Sequence, residues 1–276
     1  MQIQFSKMHG LGNDFMVIDQ VSQDVHLTPD TILRMADRHT GVGFDQLLCV
    51  EPPTDPDSDF RYRIYNSDGS EAEQCGNGAR CFAKFVVAKH LSSKTELRLQ
   101  TNAGVIVTHL RDDGTVEVDM GVPSTVPDEV PFVTDHAAIS YPITIGNETV
   151  EVVPISIGNP HAVVFVDSVS EAPVGRLGPV LMRHERFPRG VNVGFCQVID
   201  SGFARLRVYE RGVGETRACG TGACAAAVAG VLTGRFGERI KISLPGGKVK
   251  ISWAGAGHSV YLLGPACFVY EGHIEL

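Results

Sequence analysis

The sequence contains no apolar run long enough to cross a bilayer. The longest, near Gly222 to Leu232, falls short of the roughly 20 residues a spanning helix needs. Met1 to Met16 holds no apolar core of the kind a secretory leader carries. Positive charge is scarce as well: the net charge is −8, with no basic patch to neutralise phosphates, which argues against nucleic acid as a partner. Seven cysteines, an odd number in a chain of 276 residues, do not make a disulfide framework. The spacings Cys75-x5-Cys81 and Cys219-x4-Cys224 lack the tight pattern of a zinc site. No low-complexity tract and no nucleotide or pyridoxal motif is recognisable. What remains is an ordinary globular composition, 43% hydrophobic and 20% charged, expected in a reduced cytoplasm with no metal and no cofactor.

Against that background one stretch stands out. Residues Cys75 to Ala79 read C-G-N-G-A and open an apolar run in which Phe82, Phe85 and Val86 recur at helical spacing, predicting a helix from near Gly78. Cys219 to Ala223 read C-G-T-G-A and open a second apolar helix, 144 residues later (219 − 75). The match extends outward. R-I-Y-N ending at Asn66 pairs with R-V-Y-E ending at Glu210, again 144 apart (210 − 66). Gly12-Asn13 pairs with Gly158-Asn159, and Gln46 with Asn192, each 146 apart (192 − 46). One such motif carries little information; two in register with flanking landmarks imply two similar halves, expected to face each other across a cleft.

Short strands are expected at residues 2–8 and 15–19 around the G-L-G-N-D turn, followed by a helix capped at Thr28 or Asp30. Strands at Leu47 to Val50 and Arg61 to Tyr65 lead into the first cysteine loop, and a strand meander follows its helix. Gly121 to Pro131, rich in turn residues, marks the boundary between halves. The second half repeats the order with strands from Val152, and residues Ala266 to Leu276 are left over to return as a strand to the first half. The expected domains are 1–120 with 265–276, and 121–264. Strands and helices together make this an α/β chain of two similar halves.

A cysteine at a helix start sits at the positive end of the dipole, where a thiolate is favoured. One thiol from each half suits a reaction that removes a proton from one face of a stereocentre and returns one to the other. That needs one thiolate and one thiol, hence unlike environments. Two helix N-termini supply backbone N–H donors for the carboxylate beside the reacting carbon, each such bond being worth roughly 1.5–3 kcal/mol. Taken singly, Cys75 and Cys219 read as structural; the duplication reverses that. Cys49, Cys81, Cys196, Cys224 and Cys267 read as core packing. Asp14, Asp45 and Asp68 read as turn organisers, and isolated Asn13, Asn66 and His161 as loop residues.

The segments G-L-G-N-D-F, G-V-G-F-D-Q, N-S-D-G-S-E, Q-C-G-N-G-A-R-C, G-N-P-H, Y-E-R-G-V-G-E-T and A-C-G-T-G-A resemble, in order and over essentially the whole chain, the diaminopimelate epimerase family. The resemblance implies interconversion of L,L- and meso-diaminopimelate without pyridoxal phosphate or metal, on the path to lysine and peptidoglycan, by two pseudo-symmetric α/β domains, each wrapping a mixed sheet round a central helix. It makes Cys75 and Cys219 the acid–base pair, with His161 and Glu210 tuning the thiols. It places Gly76, Asn77, Gly220 and Thr221 on the reacting carboxylate. Asn13, Gln46, Asn66, Asn159, Asn192, Glu210 and Arg211 become the remaining substrate contacts, with Arg211 able to fork onto the distal carboxylate. A homodimer is implied too, with Tyr270 on the leftover strand a contact. Two rival classes are a proline racemase or hydroxyproline epimerase, which would not be expected to carry Arg211 and the asparagine set, and a thiol redox or metal-binding protein.

Overall fold

A computed structural model describes residues 2–72 and 75–275, so Glu73 and Gln74 of the first cysteine stretch lie outside the described residues. The chain divides into two compact units, Met1–Asp119 with Leu263–Leu276, and Met120–Leu262. Both are of the mixed α/β kind, strand-rich with few helices. Among the described residues no helix is long and apolar enough to cross a membrane.

The first unit begins with β1 (Gln2–Gly10) and β2 (Asn13–Asp19), an antiparallel hairpin in which Gly10 pairs with Asn13. Its two-residue loop, Leu11 and Gly12, has φ of 58° and 85°. Two consecutive positive-φ residues match the right-handed twist of the flanking strands. Leu11 has a Cβ, so this conformation costs it on the order of 1 kcal/mol; burial of its side chain offsets that. The result fixes Asn13 as the first residue of β2.

After α1 (Pro29–Ala36), capped by the Thr28 hydroxyl, β3 (Gln46–Glu51) lies parallel to β2 and β4 (Phe60–Asn66) antiparallel to β3. A two-residue strand, β5 (Glu71–Ala72), leads to α2 (Gly76–Ala88). Then β6 (Glu96–Thr101) runs parallel to β4, and β7 (Gly104–Leu110) and β8 (Val116–Asp119) complete the meander. Helix α2 lies against β1, β2, β3, β7 and β8, so the sheet wraps round it. Its buried face carries Phe82, whose ring meets those of Phe60 and Tyr62 edge-on.

The second unit repeats this connectivity. β9 (Tyr141–Ile145) and β10 (Glu148–Ser156) form a hairpin; β11 (Pro160–Phe165), α3 (Val174–Met182), β12 (Asn192–Asp200) and β13 (Phe203–Glu210) follow. β14 (Gly214–Thr216), α4 (Gly220–Leu232), β15 (Arg239–Leu244), β16 (Gly247–Trp253) and β17 (Val260–Gly264) close it. The pairings correspond strand for strand: β11 with β12 parallel, β12 with β13 antiparallel, β13 with β15 parallel. Helix α4 is apolar all round and buried from Gly222 to Gly230, as expected of a helix enclosed by strands. In the first unit the place that β9 takes beside β10 is filled by β18 (Cys267–Glu275), which pairs antiparallel with β1. Lys84 of α2 donates to the Ala266 carbonyl at 2.8 Å and helps seat that returning strand.

Three sequence expectations need correction. The first cysteine helix starts at Gly76, two residues before the predicted Gly78, because the Cys75 sulfur itself accepts the Gly78 N–H and starts the turn earlier. The second half begins with a hairpin rather than at a strand near Val152: β9 precedes it, and Gly146, with φ of 60°, turns the chain back at Gly146-Asn147. Cys267 is half-buried rather than core, since it opens β18, which pairs on one side with β1.

Candidate active site

Each motif thiol occupies the N-cap of its unit's central helix. The Cys75 Sγ accepts from Gly78 N at 3.5 Å and the Cys219 Sγ from Gly222 N at 3.3 Å. Sulfur is a weak acceptor, and Ser, Thr, Asn or Asp would cap more strongly, by about 0.5–2 kcal/mol relative to a non-capping residue. Cysteine at both caps therefore forgoes stability in favour of a group whose anion the helix terminus supports. The second glycine of each motif has a steric reason. A Cβ at Gly78 would lie 2.2 Å from the Tyr62 hydroxyl, and one at Gly222 would lie 3.0 Å from Val208 and 3.2 Å from the Cys219 Sγ.

Around Cys75 the thiol donates to Asn13 Oδ1 at 3.7 Å, and Asn77 Nδ2 donates to the same oxygen at 3.2 Å. Asn13 Nδ2 donates in turn to Asp45 at 3.0 Å, which fixes the orientation of its amide. Asp45 and Asp14 are gathered by Arg38, and Lys7 pairs with Asp14. Burial opposes ionisation of Asp14, but hydrogen bonds from Arg38 and Lys7 prevail and draw its pKa down to about 2. The aspartates are thus more than turn organisers: they are the charged base on which Asn13 rests. Gln46 and Asn66 are cross-strand partners joined by a bond of 3.0 Å from Gln46 Nε2 to Asn66 Oδ1, and Asn66 Nδ2 donates to the Ser70 hydroxyl at 3.0 Å.

Around Cys219 the chemistry differs. Its thiol lies within hydrogen-bonding range of the Thr221 hydroxyl (3.6 Å) and contacts the Glu210 carboxylate. Burial, then the charge of Glu210, pushes the Cys219 pKa well above the usual thiol range, so the proton stays on sulfur at neutral pH. Burial also raises Glu210, against the lowering effect of hydrogen bonds from Thr216 and Cys219. His161 is buried, and burial followed by the nearby Arg211 charge brings its pKa down to about 3. The neutral ring donates Nε2–H to Asn159 Oδ1 at 3.0 Å, leaving Nδ1 as a bare acceptor with no partner among the described residues. Asn159 Nδ2 reaches the Thr221 hydroxyl at 3.4 Å. Asn192, beside His161 in the parallel register, accepts from the Arg211 backbone N–H at 2.8 Å. The Arg211 guanidinium is exposed and donates through Nη1 to the Arg189 carbonyl at 2.8 Å.

The sequence-predicted residues thus gather into connected groups within each unit. Asn13, Cys75 and Asn77 form one and Gln46 with Asn66 another; Asn159, His161, Thr221, Cys219 and Glu210 form a third, and Asn192 with Arg211 a fourth. Gly76 and Gly220 are the first residues of α2 and α4. Sequence reasoning missed Tyr62, whose hydroxyl donates to the Cys75 carbonyl at 3.1 Å, and Thr216, which donates to Glu210. Thr216 had a signal: it stands where the first half has Ala72, in the half that has Glu210 where the first has Asn66.

The fold itself defines a class. It matches a hydroxyproline epimerase from Agrobacterium vitis with a TM-score of 0.70 at 17% identity, covering 99% of this chain and 92% of that one. It also matches a phenazine biosynthesis protein of the PhzF family from Bacillus anthracis, with a TM-score of 0.71 at 16% identity and 100% of both chains covered. The architecture is therefore the duplicated α/β fold common to these proteins. The model of the diaminopimelate epimerase family matches residues 5–126 and 153–269. The diaminopimelate epimerase of Stutzerimonas stutzeri (strain A1501) is 58% identical over 276 residues, all of both chains. This chain belongs to the diaminopimelate epimerase family.

Proposed function

We propose that the protein interconverts L,L- and meso-diaminopimelate, with Cys75 and Cys219 as the acid and base on opposite faces of one α-carbon. The observation that carries this reading is the paired N-cap thiols in unlike surroundings, in a chain of this family: one beside neutral amides, the other beside a carboxylate. In each direction one cysteine begins as thiolate and takes the α-proton while the other begins as thiol and gives one back. The reading requires both thiols to reach the same carbon. The N–H groups of the α2 and α4 first turns, at Gly76, Asn77, Gly220 and Thr221, bind the adjacent carboxylate as negative charge spreads onto it. Asn13, Gln46, Asn66, Asn159 and Asn192 orient the substrate's ammonium groups and carboxylates as neutral hydrogen-bonders, Glu210 meets an ammonium, and Arg211 holds the distal carboxylate. Glu210 and the bare Nδ1 of His161 shift the proton balance at Cys219.

No cofactor enters this scheme. Protein dialysed against chelator is expected to turn over L,L-diaminopimelate at the rate of untreated protein and to leave trans-4-hydroxy-L-proline unchanged. A strict requirement for added metal or pyridoxal phosphate, or preference for the hydroxyproline, would overturn it. We also place the protein in the cytoplasm, where its free thiols stay reduced, and as a homodimer through β18. Tyr270 there is 46% exposed and Val269 57% exposed on a strand seated against β1. Light scattering that gives a monomer at micromolar concentration would contradict the dimer.

A further inference from the structure

Among the described residues the largest side chain fully shut from solvent is a cation, Arg80, at 0% exposure. It lies on the second turn of α2 and folds back toward the helix N-terminus. Its Nη1 donates to the Gly76 carbonyl at 3.2 Å, its Nη2 to Asn77 Oδ1 at 2.9 Å and its Nε to the Pro265 carbonyl at 3.2 Å. Desolvating a guanidinium carries a penalty of several kcal/mol, which the fold must offset by contacts that demand a charge there. Space is reserved for it: a Cβ at Gly10 would come within 3.2 Å of Nη2.

The internal repeat shows that the scaffold itself does not need this residue. The equivalent position of the second unit, 144 residues on (224 − 80), is Cys224, also fully buried in the same helix of the same fold. What differs between the two units is the thiol at the helix start. Cys219 has the Glu210 carboxylate in contact; the residue in the place of Glu210 in the first unit is the neutral Asn66. So the unit with a buried carboxylate at its thiol has a small neutral residue at 224, and the unit without one has a buried cation one peptide unit from its thiol.

We propose that Arg80 is the positioning residue of the first thiol, holding the Asn77 amide and supplying the fixed positive charge that favours the thiolate of Cys75. The proposal rests on the reading of Cys75 as an acid–base group. The clamp on Asn77 Oδ1 turns its Nδ2 toward Asn13 Oδ1, and Asp45 holds the other end of Asn13, so Arg80 and Arg38 anchor opposite ends of one chain of amides passing the sulfur. The neighbouring titratable groups do not substitute for it. Lys7 is taken up by Asp14 and the Gly43 carbonyl, while burial raises Tyr62 and pushes Cys81 to about 12, so both stay neutral.

The test is site-resolved alkylation of the purified full chain with iodoacetamide at pH 7.5, quantified by peptide mass spectrometry, for wild type, Arg80→Met and Arg80→Lys. It needs no substrate, so failure of the diaminopimelate assignment would leave its result standing. Arg80→Met is expected to slow Cys75 labelling about tenfold or more and leave Cys219 within about twofold. Arg80→Lys, which keeps the charge but loses the fork, should recover most of the Cys75 rate. A merely structural role predicts the opposite sign, because loosening the helix start exposes Cys75 and speeds its labelling. Equal or faster Cys75 labelling in folded Arg80→Met, or, should that variant not fold, in the equally uncharged Arg80→Gln, would overturn the proposal.

Discussion

Cys75→Ala and Cys219→Ala each lower kcat by about 10²–10⁴-fold, the usual contribution of a positioned acid or base. Serine separates this chemistry from the structural role of the same atom. A hydroxyl is a better N-cap than a thiol, so Cys75→Ser and Cys219→Ser should keep or slightly raise the melting temperature, while alanine, which cannot cap, should lower stability by about 0.5–2 kcal/mol. Both serine variants should still lose most of kcat, since a hydroxyl gives up its proton far less readily than a thiol. KM should change little, because the first-turn N–H donors remain. A serine variant with wild-type kcat would show that the sulfur is only a cap. The double alanine variant should be hardly worse than either single one, as expected when two groups act in one step.

Arg211→Ala weakens turnover of diaminopimelate through a group that does not react. Asn192 holds the Arg211 backbone and the Arg189 carbonyl takes one of its guanidinium N–H groups, which leaves further donors for a carboxylate. Losing a charge-assisted fork costs about 2–5 kcal/mol where the partner is left buried. Because the guanidinium is exposed in this structure, the lower half of that range applies, roughly 30-fold or somewhat more in kcat/KM. Binding at the distal end also positions the reacting end, so KM should rise and kcat should fall together. The discriminating comparison uses an analogue without the distal carboxylate. Wild type should strongly prefer diaminopimelate, and Arg211→Ala should lose most of that preference. An undiminished preference would remove Arg211 from the distal site.

Much of this site was legible because the chain states it twice. The doubled C-G-x-G-A located both N-caps, and the pairing of Asn66 with Glu210 pointed to residues that lie on equivalent strands, β4 and β13. Periodicity located both central helices, since an enclosed helix must be apolar; α4 is apolar on every side. What could not be read was the supporting layer. Tyr62 looks like any strand aromatic until its hydroxyl is seen on the Cys75 carbonyl, and Asp45 like any turn acid until it is seen holding Asn13. The exact start of α2 was missed because a cysteine cap has no strong propensity, and the β9 strand because a single glycine-asparagine turn separates it from β10. The difference between the two thiols lay in the non-matching positions of the repeat, Asn66 against Glu210 and Arg80 against Cys224, and only burial showed their weight.

The central claim is that two different groups, exchanging protons with solvent, serve the two faces of one carbon. It is tested most directly by running L,L-diaminopimelate in deuterium oxide and analysing both pools by mass spectrometry within the first few per cent of conversion. The returning proton comes from a thiol already equilibrated with solvent, so meso product should carry deuterium at one α-carbon in essentially every molecule, while recovered L,L-substrate stays unlabelled. The reverse reaction should show the same pattern. Product that retains the substrate's own α-hydrogen to a substantial degree would mean that a single base removes and returns the proton, and would contradict the assignment of Cys75 and Cys219 as partners.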